Sequence, residues 1–376
     1  MIYRPLGRTG LSVSQLGFGA MRLPMVGEGA EQRVDRELAI PMIHRAFAAG
    51  VNYIDTAVGY CNRDSQCAVG EALVGWRDQV ILSTKNHEYA DERAWWTNLE
   101  DSLTRLRVDA IDIYNHHGLT WARYVADVEP RAGQWMQRAK EQGMIKHICC
   151  SFHDDNAGLL KLVDAGYPAV ITLQYNMLDR QLEEGIAYAH EKGIGTVVMG
   201  PVAGGRLGAT SEVLAELIPG IRRVPELALR FVLANPTVTV ALSGMRTLQE
   251  VEENVVIAAD PVGLSGADLE AIAAHLLRLK GMADLYCSGC GYCLPCPAEV
   301  NIPKVFECYN LGRVYGLWDV AREGYRQIGT VPWVPGHAAD ACVACGGCEA
   351  KCPQRLEIRR QLSEAHQALR EPEPTI

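Results

Sequence analysis

Eight short apolar runs, each followed by a stretch with helical spacing, restrict how residues 14 to 258 of this chain can fold. The runs cover residues 14–20, 52–57, 80–85, 110–117, 145–151, 169–176, 195–200 and 239–244. Several hold consecutive apolar residues, as in VIL at 80–82 and AVI at 169–171. A strand apolar on both faces has to be covered on both, the situation of a parallel strand flanked by helices. Between the runs, apolar residues recur near every 3.6 positions, for example Leu38, Met42, Ala46 and Ala49, or Trp96, Leu99, Leu103 and Leu106. Eight such units can close into a barrel or lie open as a doubly wound sheet. The barrel is favoured because polar residues cluster where several different runs end, the place a barrel builds its site.

The expected architecture is therefore α/β, a (β/α)8 TIM barrel over residues 1–264. A linker helix follows over 265–284, and then a small, mainly helical, cysteine-rich domain over 285–376. Ahead of the first run, MIYRPLGRTGLSV carries Pro and Gly punctuation and predicts a short hairpin plugging the bottom of the barrel. In the linker, Ser265, Asp268, Leu269, Ile272 and Leu276 trace an amphipathic helix with Ser265 as its N-cap. The glycine pairs in GFGAM and AGGRLG sit in no complete Gly-x-Gly-x-x-Gly pattern and read as tight barrel turns. The final REPEPTI reads as a frayed tail.

With 48% hydrophobic and 22% charged residues, a chain of 376 residues has the balance of a globular protein. A net charge of −9 and the lack of any basic block argue against a nucleic-acid partner. Neither a leader nor an apolar stretch of membrane-spanning length is visible, so a cytoplasmic protein without a membrane partner is expected.

Eight of the 13 cysteines form two runs. The first is Cys287, Cys290, Cys293 and Cys296, each two residues apart, ending in Pro297; the second is Cys342, Cys345, Cys348 and, after three residues, Cys352, ending in Pro353. Three thiolates at two-residue intervals wrap one face of a cuboidal cluster, and the fourth, turned away by its proline, reaches the other cluster in two-cluster ferredoxins. Cys287, Cys290, Cys293 and Cys352 are thus assigned to one [4Fe-4S] cluster, and Cys342, Cys345, Cys348 and Cys296 to a second. The shorter last spacing of the first run leaves the crossed ligation open. Two structural zinc sites are the alternative, but zinc ribbons pair one CxxC with a distant one, whereas four cysteines crowd together here twice. Of the others, Cys149, Cys150 and Cys308 read as buried packing residues. Cys61 and Cys67 flank the loop after Tyr60, where a reactive thiol is a further reading.

Asp55 closes the second run, Tyr60 follows it, Lys85 closes the third and His117 the fourth. Together with PLGRTGLSVSQLGFGAMRLP, NYIDTAVGY, DIYNHHGL and SGMRTLQEVEEN, these residues give a chain that resembles the aldo-keto reductases over roughly residues 1 to 260. The cysteine-rich tail resembles that of the family's iron-sulfur branch and the helical ferredoxin domains of redox enzymes. The resemblance implies an oxidoreductase in which Tyr60 is the general acid, Lys85 lowers its pKa, Asp55 anchors Lys85, and His117 rather than His116 orients a carbonyl or alcohol substrate. It further implies an NAD(P)H site, with Ser151 and Gln174 at the carboxamide and Gly244, Arg246, Glu253 and Asn254 on the adenosine side. Three positions depart from the family. Phe152 replaces an amide Asn, Met199 a stacking tyrosine, and Glu250 an arginine used for a 2′-phosphate, which a carboxylate repels; NADH, NADPH or another donor stay open.

Hydride carries two electrons and each cluster passes one. A flavin mediator, direct cluster-to-substrate transfer, or a ferredoxin or other redox partner would reconcile the two. The leading expectation is a carbonyl or alcohol oxidoreductase whose clusters exchange electrons with an external carrier. The alternative is an electron-transfer subunit of a larger complex, its barrel a docking scaffold with a vestigial site.

Overall fold

The computed structural model describes every residue except 204–206, 208–210, 216, 222, 261–262, 285–286, 288–290, 353–354 and 371–376. Cys290, Pro353, the glycine pair at 204–205 and most of the expected frayed tail therefore lie outside the described residues. The chain divides into two compact units, Met1–Gly204 with Ala228–Leu264, and Gly205–Leu227 with Ser265–Ile376. The segment that the second unit takes from within the first is tied there by the Ser211 hydroxyl, which donates to the Tyr315 carbonyl at 2.6 Å.

In the first unit the strands in chain order are β1 (Tyr3–Pro5), β2 (Ser12–Ser14), β3 (Leu16–Gly19), β4 (Met25–Val26), β5 (Arg33–Val34) and β6 (Tyr53–Asp55). They continue as β7 (Ile81–Asn86), β8 (Ile111–Leu119), β9 (Ile145–Phe152), β10 (Val170–Gln174), β11 (Gly195–Met199) and β12 (Val240–Ser243). Strands β3 and β6 to β12 form a closed parallel barrel, shut by the pairing of β12 with β3. Each of the eight coincides, within a few residues, with one of the apolar runs.

The N-terminal hairpin β1–β2 plugs the barrel floor, as its sequence predicted. Leu6 and Val13 are fully buried against Tyr53, Ile113, Cys149 and Val170 from the inward faces of four strands. The Arg4 guanidinium fastens the hairpin by donating to the carbonyls of Val238 at 2.6 Å and Leu233 at 2.7 Å. Gly7 is required at the turn: its φ is +54°, and a Cβ there would stand 2.4 Å from the Gly195 backbone nitrogen.

The helices start on side-chain caps, Asp35 for Arg36–Ala48 and Asp91 for Glu92–Leu106, each accepting from two backbone N–H groups. Their buried faces differ from the expected ones. Leu38 is exposed, and Ala39, Met42, Ile43, Ala46 and Phe47 face inward. In the second helix the buried stripe is Trp95, Leu99, Ser102 and Leu106. Two adjacent tryptophans satisfy a 3.6-residue repeat in either register. Trp95 takes the inner place because its ring meets Tyr114 edge-on at 5.9 Å, and Ser102 is tolerated inside because the Gln66 amide donates to its hydroxyl at 2.9 Å.

The second unit is helical, with Gly266–Asp284, Ile302–Arg313, Trp318–Arg326, Gly347–Lys351 and Ile358–Leu369 among its elements. Ser265 caps the first of these, its hydroxyl accepting from the Asp268 N–H while the Asp268 carboxylate accepts from the Ser265 N–H. Val305, Phe306, Cys308, Tyr325, Ile358 and Leu362 belong to its apolar core. At Gly312 the Trp318 ring comes so close that a Cβ would lie 2.3 Å from it. No helix among the described residues is long and apolar enough to cross a membrane.

Candidate active site and cluster loops

Parallel strands that end together bring side chains from distant parts of the sequence to one rim, and the inward positions of each strand alternate. Asp55 ends β6, Lys85 lies near the end of β7, and His117 lies near the end of β8. Lys85 and Asp55 form an ion pair with side chains only 1% and 3% exposed. The Lys85 ammonium also donates to the Thr56 carbonyl at 2.9 Å and stands 4.8 Å from the centre of the Tyr60 ring. Burial pulls the Lys85 ammonium towards losing its proton, but Asp55 and Tyr60 outweigh that and leave its pKa raised. The site thus holds a fixed, paired cation beside a phenol.

The His117 ring lies edge-on to Tyr60, 5.8 Å between centres. Burial, then Lys85, His153 and His87, push its pKa down to about 3, so it is a neutral imidazole over the physiological range. His116 points the other way along β8. It stacks between Tyr89 and Tyr167, makes a 2.8 Å hydrogen bond with the Tyr167 hydroxyl, and is pushed by burial to about 3.

Tyr60 stands before an unusual turn. Cys61, Asn62 and Arg63 all have left-handed backbone, with φ of +49°, +55° and +67°. Each such residue costs about 1–2 kcal/mol, so the turn persists only because its surroundings hold it. The Cys61 thiol donates to the Met21 carbonyl at 3.4 Å, the Asn62 amide to the Gln32 carbonyl at 3.1 Å, and the Asp64 carboxylate pairs with Arg36. Arg36 holds the Asp64 carboxyl below the usual carboxylate range. Burial pushes the Cys61 thiol up, which speaks against a reactive thiolate there. Cys149 and Cys150 are fully buried, and burial raises both.

Of the residues implied for a nicotinamide, Ser151 and Gln174 lie at or near the ends of β9 and β10, Gly244 and Arg246 just after β12, and Glu253 and Asn254 in the helix Leu248–Ala259. Several already have partners within the chain. The Ser151 hydroxyl makes a 3.0 Å hydrogen bond with His153, and the Gln174 amide donates to Asp179 at 3.2 Å. Beyond Gly244, the Arg246 N–H donates to Glu250 at 2.6 Å, Glu253 accepts from Gln249 at 2.9 Å, and the Asn254 amide donates to Ser243 at 3.1 Å. Phe152 is buried on β9, and Met199, the last residue of β11, is half-buried.

Ser83 and Asn115 complete the buried polar layer and were missed from the sequence. The Ser83 hydroxyl donates to Asp55 Oδ2 at 2.7 Å, and the Asn115 amide donates to Ser83 Oγ and to the Thr84 carbonyl, both at 3.1 Å. A signal was present: each lies two residues before a singled-out residue, Lys85 or His117, and so shares its face of the strand.

In the second unit a cavity of about 90 Å³ is lined by Cys342, Cys345 and Cys348 of the second run and by Cys293 and Cys296 of the first. Cys287 and Cys352 pack against the same helical core. Among the described residues no three His, Cys, Asp or Glu side chains stand close enough to grip one metal ion. These five thiols surround a space, which suits a polynuclear cluster. Lys351 and Arg359 also line the cavity, and Arg359 ties the loop down by pairing with Glu349 at 2.8 Å. The loop needs left-handed backbone at Ala344 (φ +54°) and Gly346 (φ +77°).

Comparison with known proteins agrees with this arrangement. A model of the aldo/keto reductase family matches residues 15–220, and one of a 4Fe-4S dicluster domain matches residues 286–356. An uncharacterized oxidoreductase of Bacillus subtilis is 27% identical over 307 residues, 72% of this chain and 95% of that protein. The NADH-specific methylglyoxal reductase of Escherichia coli is 27% identical over 316 residues, 70% of this chain and 95% of that one. Among solved structures, an aldo-keto reductase from Bacillus halodurans in its holo form is 29% identical, with a TM-score of 0.63 over 73% of this chain and 96% of that one.

Proposed function

Because this chain belongs to the aldo/keto reductase family and carries a 4Fe-4S dicluster domain, we propose that it interconverts a carbonyl and an alcohol in its barrel, with single electrons passing through the clusters to or from an external carrier. The observation that carries the reading is the buried Asp55–Lys85 pair set against Tyr60, with neutral His117 at the edge of the same ring.

Reduction of a carbonyl needs two electrons and one proton at carbon and one proton at oxygen. Tyr60 delivers the proton to oxygen. Lys85, kept charged by Asp55, steadies the phenolate that remains. The His117 imidazole hydrogen-bonds the carbonyl oxygen and, being neutral, adds no charge that an approaching hydride would feel. In the reverse direction the same groups take the proton from the alcohol. A bound nicotinamide supplies the hydride, and Ser151, Gln174, Gly244, Arg246, Glu253 and Asn254 would hold it. Glu250 favours NADH, since its carboxylate sits on the Arg246 N–H, where a 2′-phosphate would be repelled. The relative named as NADH-specific supports the same choice.

Along the sequence, this reading takes residues 1–264 as the barrel domain, 265–284 as a linker helix and 285–376 as the cluster domain. Cys287, Cys290, Cys293 and Cys352 would hold one cluster, and Cys342, Cys345, Cys348 and Cys296 the other. Bound there, two [4Fe-4S] clusters would pass electrons one at a time to or from the external carrier, and a mediator would be needed before they could exchange with the electron pair of a hydride. The second reading, an electron-transfer subunit with a vestigial barrel, is favoured by one fact: Ser151 and Gln174 already have internal partners.

The test is turnover of methylglyoxal and p-nitrobenzaldehyde with NADH and NADPH by anoxically prepared protein and its Tyr60→Phe variant. Loss of turnover with nicotinamide binding and cluster content intact supports the enzyme. Equal turnover by Tyr60→Phe sinks the assignment of the acid, and no turnover by either protein favours the scaffold.

A further inference from the structure

Asp55 has two oxygens to satisfy in a site closed to water. Lys85 takes Oδ1 and Ser83 takes Oδ2. The direction of the bonds behind Ser83 is fixed by chemistry. The Thr84 carbonyl can only accept, so the Asn115 atom facing it at 3.1 Å is the amide nitrogen. The same nitrogen donates to Ser83 Oγ at 3.1 Å, which fills an acceptor position on that hydroxyl and sends its single hydrogen elsewhere. The Tyr53 hydroxyl also stands near Ser83, but the Asp55 carboxylate, at 2.7 Å, is the acceptor within hydrogen-bond distance of the Ser83 hydroxyl. The hydrogen rests on Asp55.

We infer that Ser83 and Asn115 are positioning residues of the barrel site: Asn115 orients the Ser83 hydroxyl, and that hydroxyl holds the Asp55 carboxylate in line with Lys85. All four side chains are buried. Besides Asp55, the groups that act on Lys85 or feel its charge are Tyr60, His117 and His153. The consequence for catalysis rests on the reading of Tyr60 as the acid. The hydrogen-bonded relay itself does not.

A hydrogen bond from a hydroxyl to a carboxylate is charge-assisted, so most of its contribution disappears when that carboxylate is replaced by an amide. A side chain that merely fills space contributes equally in both backgrounds.

The experiment measures denaturant unfolding of the full chain at neutral pH, for wild type, Ser83→Ala, Ser83→Thr and Asn115→Leu, each also with Asp55→Asn. Ser83→Ala is expected to raise the unfolding equilibrium constant roughly 10- to 100-fold, as for loss of a hydrogen bond to a charged group. Asn115→Leu moves it the same way, and Ser83→Thr restores it. With Asn at 55 the effect of Ser83→Ala falls below roughly 10-fold. An effect equally large with Asn at 55 overturns the relay.

Turnover separates the two ideas. Where Tyr60→Phe abolishes it, Ser83→Ala should lower kcat with little change in KM, and Ser83→Thr should restore it. Wild-type kcat in Ser83→Ala would overturn the positioning role. Full turnover by Tyr60→Phe would overturn the proposed acid and leave the relay standing.

Discussion

Asp55→Asn removes the counter-charge of Lys85 while keeping its shape. The Lys85 ammonium is 1% exposed, and besides Asp55 it has the Thr56 carbonyl and the Tyr60 hydroxyl as hydrogen-bond partners. The variant must therefore bury an unpaired cation or hold the amine neutral. Removing one partner of a buried pair costs about 3–5 kcal/mol. Neutrality is a second route to the magnitude. An amine of ordinary pKa near ~10.4, kept unprotonated at pH 7, costs about 4–5 kcal/mol at roughly 1.4 kcal/mol per pH unit, and about 2 kcal/mol at pH 9. In the wild type the Lys85 pKa is raised, so its contribution is fully present below the unfolded value and is lost only as pH rises through the folded one. Wild-type stability therefore changes little on this account between pH 7 and 9, while the variant gains. Urea unfolding followed by tryptophan fluorescence should show a loss of about 4 kcal/mol at pH 7, shrinking by roughly half at pH 9. Replacing Lys85 by Met as well should recover most of it. A loss below about 1 kcal/mol at pH 7 would refute the buried charged pair, and an equal loss at both pH values would show that the variant buries an unpaired cation rather than a neutral amine.

Gly7→Ala should destabilise the barrel by more than the roughly 1–2 kcal/mol of a left-handed backbone alone, because the added Cβ would also meet the Gly195 nitrogen at 2.4 Å. Gly10→Ala shares the positive φ, has nothing within 4 Å, and should cost less; equal thermal shifts would contradict the plug geometry. His117, at about 3, should give the rate profile no limb between about pH 5 and 8. A limb near pH 6–7 that vanishes in His117→Ala would show that the imidazole is less buried than described.

The barrel was legible because eight doubly covered strands need eight apolar runs, and the hairpin because Gly7 and Gly10 punctuate it. Helix registers were less so. Trp95 and Trp96 fit either side of a 3.6-residue repeat, and the choice depends on Tyr114, a contact the local pattern does not contain. Asp55, Tyr60, Lys85 and His117 stood out as polar residues at or just beyond strand ends. Ser83 and Asn115 did not, since a small polar residue inside a run looks like a break in its apolar pattern, and its value appears only when neighbouring strands bring Asp55 alongside. The left-handed turn at Cys61–Asn62–Arg63 carried only a weak local signal, Asn62, since asparagine favours that conformation and no glycine stands among the three. The cysteine runs announced clusters by spacing alone, whereas the sharing of one cavity by Cys293 and Cys296 with the second run depends on how the helices between them pack.

The most direct test of a barrel reaction served by one-electron traffic is EPR of the anoxically purified protein, as isolated and after NADH, NADPH or dithionite. Signals of reduced [4Fe-4S] clusters with dithionite, and none with either nicotinamide alone, are the predicted result, since hydride and single electrons do not exchange without a mediator. A cluster signal raised by a nicotinamide alone would contradict the external carrier, and no cluster signal in protein carrying stoichiometric zinc would contradict the account of the cysteine runs.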